Sequence, residues 1–223
     1  YENRSEPLND RMVINNDITP VHAGASPLPQ GYTGKGVVVG IIDSGVDFNH
    51  PDFQDMNGNT RIQFIWDQNA PGGGNSPDPY GYGREWTKQD IDNGLCTHKD
   101  PDVYNGHGTH ITGIAAGNGL AVNNYTGVAP EADIIVVSIN SGGGAIYADA
   151  VEYICTRADS LGKPCSMNIS FTRGYYGSHD GKDLEAQMID NIISSRNGQV
   201  VVAAAGNRGQ IHFHTGYEAT ADT

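Results

Sequence analysis

Apolar runs of strand length alternate with apolar periodicities of helix length along most of this chain. The run Val37-Val38-Val39-Gly40-Ile41-Ile42 leads straight into Asp43-Ser44-Gly45, which predicts a buried strand over Gly36 to Ile42 followed by a turn. Ile134 to Ile139, Ser166 to Phe171 and Val200 to Ala205 repeat that pattern. Between them, Tyr147, Val151, Ile154, Ala158 and Leu161 recur at spacings of three and four and predict a helix closing at Gly162. Leu184, Met188 and Ile192 predict a second helix from Asp183 to Arg196, ending at Gly198, and a third runs from His107 to about Gly117. Apolar strands separated by helices of this length imply an α/β fold, a three-layer sandwich with a mainly parallel sheet covered on both faces. Such sheets carry their chemistry at the carboxyl ends of the strands.

Two segments break the alternation. Residues 1–34 are polar and rich in Pro and Gly, with Thr19-Pro20 and Pro27-Leu28-Pro29, and read as an extended lead-in. Residues 54–104 are dense in Gly, Pro, Asp and Asn and read as an insertion or loop region at a functional rim. Trp66 and Trp86 within it predict that the segment packs.

A chain of 223 residues suits one sizeable domain. With 13 Lys and Arg against 26 Asp and Glu, the formal charge is -13, which repels phosphate backbones and argues against nucleic acid as a partner. No apolar run reaches the roughly 18 residues of a membrane span. Cys96, Cys155 and Cys165 show no CxxC spacing and predict buried thiols, with a Cys155 to Cys165 cross-link left open.

The candidate chemistry lies at element ends. In Asn105-Gly106-His107-Gly108-Thr109-His110, a histidine stands between glycines at a helix entrance, where glycine fills no space and weakens a helix. Asp43 ends the first strand, and Asn207 follows the apolar run into Ala205-Gly206. Each has a plainer explanation: Asp43 as a turn cap, Asn207 as a Gly-Asn turn, His107 as a core residue. Their occurrence together at corresponding ends is what argues for a site. The glycines Gly34, Gly36 and Gly40 precede or interrupt their strand, whereas a dinucleotide fingerprint follows a strand and opens a helix, which excludes that class.

Ile42-Asp43-Ser44-Gly45-Val46-Asp47 with His50-Pro51-Asp52-Phe53, Gly106-His107-Gly108-Thr109-His110, Gly127-Val128-Ala129-Pro130, Asn168-Ile169-Ser170-Phe171 and Ala204-Ala205-Gly206-Asn207 resemble, in order, the subtilisin family of serine proteases. The insert Ile65-Trp66-Asp67-Gln68 and Ser178-His179-Asp180-Gly181 resemble the branch that includes clostridial spore-germination proteases. The resemblance implies a subtilisin-like sandwich and a serine endopeptidase acting on peptide or protein substrates. Asp43 would orient His107, His107 would be general base to a serine, and Asn207 would donate its amide to the oxyanion, an effect of about 3 to 4 kcal/mol in such sites. Ser141, Gly142 and Gly143 would flank the substrate strand on one side, and Ser170, Phe171 and Thr172 on the other. Thr172 departs from the glycine common in the family, and its β-branched side chain would narrow the entrance or restrict the peptide path. His110 is expected to be structural.

The family's serine, in a Gly-Thr-Ser segment beyond the asparagine, has no match before Thr223. The chain therefore resembles the N-terminal part of a catalytic domain, inactive alone, with a C-terminal fragment carrying the serine as its partner. The alternative is a pseudoprotease that binds peptides. The resemblance implies a secreted or cell-envelope bacterial protein. No cofactor is required. Calcium stays open: Asp52 matches a family ligand position, while the loop from Gly119 to Tyr125 looks shortened. His212-x-His214 is a weaker metal candidate at strand spacing.

Overall fold

The structure, a computed structural model, describes residues 9–72, 74–101, 104–139, 146–171, 179–207 and 209–210. At its centre lies β1 (Val38–Asp43), buried along its whole length. It pairs in parallel with β4 (Asp133–Ser138) on one side and β5 (Cys165–Ile169) on the other. Beyond β5 lies β6 (Gln199–Ala203), and beyond β4 lies β2 (Ile62–Asp67), both parallel. The antiparallel β3 (Arg84–Thr87) closes the β2 side, giving the order β3-β2-β4-β1-β5-β6.

Side-chain alternation along β1 sorts the core into two layers. Val38 and Ile42 pack with Val151, Ile154 and Met167 beneath α5 (Ile146–Ser160), and α6 (Leu184–Ser194) joins the same face. Val39 and Ile41 face the opposite layer with Ala116 of α4 (His107–Ala116). Both faces are therefore covered, as a near-continuous apolar strand requires. At Gly40, a Cβ would stand 2.8 Å from both Ile154 Cγ2 and Met167 Cγ; its absence lets α5 approach the strand.

The parallel sandwich agrees with the sequence expectation, and three details differ. The apolar face of α6 is Ile189, Ile192 and Ile193, whereas Leu184 is 75% exposed, because the helix begins there with Asp183 as its N-cap. Residues 1–34 are not simply extended: α1 (Asn9–Asn15) and α2 (Ile18–Ala23) form within them. Pro20 is third in α2, where the N–H it lacks has no intrahelical acceptor in any case. His22 Nε2 lies 2.8 Å from the Val128 carbonyl oxygen, joining α2 to the body. Residues 54–104, read as loop, contain β2, β3 and α3 (Lys88–Asp92) and so build one side of the sheet. Trp66 and Trp86 are buried as expected.

All three cysteines are buried and free. Burial pushes the Cys96 and Cys155 thiols up to about 11 and that of Cys165 up to about 12. They are therefore unreactive thiols at neutral pH. Among the described residues, no helix is long and apolar enough to cross a membrane.

Candidate active site

The register of the sheet brings Asp43, Ser138 and Asp67 to the same carboxyl edge: Asp43 pairs with Ser138 across β1 and β4, and Ser138 with Asp67 across β4 and β2. Asp43 is fully buried. Its Oδ1 lies 2.7 Å from His107 Nδ1 and accepts the Ser44 backbone N–H at 2.7 Å. Its Oδ2 is buried without a hydrogen-bond partner among the described residues. An ionised carboxylate only accepts, so Nδ1 of a neutral His107 carries the proton and Nε2 keeps its lone pair. The His107 side chain is 44% exposed, and its Nε2 has no protein partner among the described residues. The arrangement can take up a proton at Nε2 and hold the resulting imidazolium against a buried anion.

Close backbone contact and three polar side chains place α4 against the turn after β1. Gly106, in the left-handed region at φ 70°, caps the helix. Gly108 donates its N–H to Ser44 Oγ at 2.9 Å, and a Cβ on Gly108 would meet the Gly45 carbonyl oxygen at 2.1 Å. This glycine is therefore required for His107 to reach Asp43. Asp100 accepts from Ser44 Oγ at 2.8 Å, Thr109 N–H at 2.9 Å and Thr109 Oγ1 at 2.6 Å. Thr109 Oγ1 in turn accepts the Asp47 N–H at 2.7 Å. The Asp100 carboxylate also sits at the positive end of α4.

A second histidine supports the turn. His98, 3% exposed, has Nδ1 2.9 Å from Asp67 Oδ2, while Nε2 accepts the Val46 N–H at 3.1 Å. Burial alone would raise the Asp67 carboxyl. The hydrogen bond from His98, with those of the Asn69 and Ala70 amides, opposes it, and the carboxyl is held below the usual aspartate range. Asp67, His98 and Asp100 were not singled out from the sequence. The signal available was that Asp67 ends an apolar run as Asp43 does.

The other expected residues are less closely gathered. Asn207 is exposed after β6, past Gly206 at φ 89°. It shares the carboxyl edge but lies two strands from β1, roughly 10 Å at ordinary strand spacing. Ser170 Oγ accepts from Asn168 Nδ2 at 2.8 Å. The Phe171 ring stands nearly perpendicular to both His107 and Tyr104, with centroids 5.8 and 5.5 Å away. Ser141, Gly142, Gly143, Thr172, His212 and His214 lie outside the described residues. His110 is exposed and lines a cavity of about 1090 Å³ beside α4. Asp52, the calcium candidate, accepts the Ala121 N–H at 2.8 Å. Among the described residues no three His, Cys, Asp or Glu side chains are grouped to hold a metal.

A family model described as the subtilase family matches residues 34–222. The chain is 27% identical over 220 residues to a subtilisin of Bacillus sp. strain TA39, covering 96% of this chain and 42% of that protein. It is 31% identical over 182 residues to the major intracellular serine protease of Bacillus subtilis strain 168, covering 81% and 46%. The solved CspB protease of Clostridium perfringens superposes with a TM-score of 0.64 at 29% identity, over 80% of this chain and 38% of that one. The chain thus spans less than half the length of each. Because one relative is named as intracellular, the match does not assign a compartment.

Proposed function

Because this chain belongs to the subtilase family, we propose that it supplies the aspartate, general base and oxyanion donor of a serine endopeptidase, with the nucleophilic serine lying outside these 223 residues. The observation that carries the proposal is the buried Asp43 held 2.7 Å from the half-exposed His107 at the carboxyl edge of a parallel sheet. In this mechanism the serine hydroxyl oxygen attacks the substrate carbonyl carbon while its proton moves to His107 Nε2. Asp43 keeps Nδ1 protonated and stabilises the imidazolium. The oxyanion accepts a hydrogen bond from the Asn207 amide. His107 then gives the proton to the departing amine, and water repeats the sequence to release the acyl group.

Two observations support placing the serine elsewhere. Ser44 Oγ donates to Asp100 and Ser138 Oγ to the Ser44 carbonyl, while Ser170 Oγ accepts from Asn168; no described serine is bonded to His107. On β6, Val201 packs against the core, but Val200 and Val202 are 49% and 56% exposed. A strand of a doubly covered sheet requires a covering layer there. The peptide would bind as an added strand beside Ser170 and Phe171, with Ser141, Gly142 and Gly143 opposite and Thr172 narrowing the path. Export to the cell surface or beyond belongs to the same proposal.

A peptide-hydrolysis assay comparing these 223 residues with the intact protein tests it. Activity confined to the intact protein, and lost in His107→Ala, is the expected result. A folded intact protein that binds peptide without cleaving it would replace the proposal with the pseudoprotease.

A further inference from the structure

The structure assigns to His98 the part of a positioning residue: it holds the turn that carries Asp43, and through it the hydrogen bond to His107. The catalytic pair does not contact His98. The connection runs through backbone. Val46, whose N–H His98 accepts, lies three residues beyond Asp43. At Gly45, between them, a Cβ would stand 2.8 Å from His98 Nε2, so ring and turn are in van der Waals contact. The carbonyl of that same Gly45 presses on Gly108, the residue after His107. A shift of this turn thus moves the carboxylate and the imidazole relative to each other.

The chemistry of the pair fixes the direction of its bonds. Asp67 accepts from His98 Nδ1, which leaves Nε2 as the acceptor that Val46 N–H requires. His98 is therefore held in one tautomer by a carboxylate, as His107 is by Asp43. Asp67 reaches this place because β2 pairs with β4, so the two aspartates end their strands level on either side of Ser138. Asp100, Ser44 and Thr109 clamp the other side of the turn. Without the His98 acceptor, the buried Val46 N–H would lack a partner, and that side would be free to move.

Two substitutions separate positioning from space filling. A glutamine amide reaches the Nε2 position and accepts from Val46; an asparagine amide reaches only the Nδ1 position and keeps the bond to Asp67. Each variant of the intact protein, labelled with 15N-histidine, is compared by the far-downfield Nδ1–H signal of His107 and by the His107 titration midpoint. The inference rests on the proposed role of His107, but both readouts need no substrate. If wild type itself cleaves nothing, the function proposal fails and this test still stands.

His98→Gln is expected to keep signal and midpoint, and His98→Asn to lose the signal and shift the midpoint. Where cleavage is measurable, kcat in His98→Asn falls about 10- to 100-fold with KM within about twofold, the scale of a small misplacement. Should His98→Asn fail to fold, Asp67→Asn keeps the ring and lets Nε2 take the proton, so it is expected to produce the same loss. A folded His98→Asn, or in its place a folded Asp67→Asn, that retains signal and midpoint would overturn the assignment.

Discussion

Oδ1 of Asp43 lies 2.7 Å from Nδ1 of His107, joining a fully buried carboxylate at the end of β1 to a half-exposed ring in the first turn of α4. Since Asp43 Oδ2 has no other partner among the described residues, the anion depends on this bond and on the Ser44 amide. In Asp43→Asn the amide donates to Nδ1 and moves the ring proton to Nε2, where it blocks proton acceptance. We expect kcat of the intact protein to fall about 10⁴-fold, with peptide affinity little changed, as measured by steady-state cleavage and by peptide binding.

The contact between α4 and the turn after β1 is backbone to backbone, so it is intolerant of a single methyl group. Gly108→Ala places a Cβ 2.1 Å from the Gly45 carbonyl oxygen. The expected cost is about 1 to 3 kcal/mol, a fall of roughly 3 to 10 °C in Tm for a chain of this size, checked by thermal unfolding. An unchanged Tm would show that the helix can withdraw freely.

Asp67 makes stability depend on pH. Its carboxyl is held below the ordinary value despite the opposing effect of burial, chiefly by His98, so the folded state favours the ionised form. The resulting stabilisation is fully present above the unfolded value of about 4 and is lost as pH falls through the lower folded value. Unfolding by urea should therefore show a smaller loss of stability between about pH 4 and pH 2 in Asp67→Asn than in wild type.

Phe171 stands edge-on to both His107 and Tyr104, at the end of the strand proposed to flank the peptide. Phe171→Ala removes an aromatic wall worth about 0.5 to 1.5 kcal/mol. KM for peptides should rise about 2- to 10-fold with a smaller change in kcat. A change in kcat alone would move Phe171 from substrate contact to support of His107.

What was legible in the sequence were features with a local signature. The apolar run into Asp43 and the glycines around His107 announce a strand end and a helix entrance, and a parallel sheet brings such ends to one edge. His98 and Asp100 carry no such mark. They lie in the irregular stretch before α4, and their partners Asp67 and Ser44 are 31 and 56 residues away, so only the sheet register joins them. On α6 the expected Ile192 does pack against the core, joined by Ile189 and Ile193, while Leu184 fits the same helical spacing and is exposed. The capping of that helix by Asp183 and its packing against α5 decide which positions are covered. The polar, Pro- and Gly-rich composition of residues 1–34 hides the two short helices within them, of which α2 accommodates Pro20 in its first turn.

The most direct test of the account is labelling of the intact protein by a fluorophosphonate, located by peptide mass spectrometry in wild type and His107→Ala. The account predicts one modified serine, outside residues 1–223, with labelling lost in His107→Ala. Labelling at a serine within these residues, or a rate unchanged by the substitution, would contradict it.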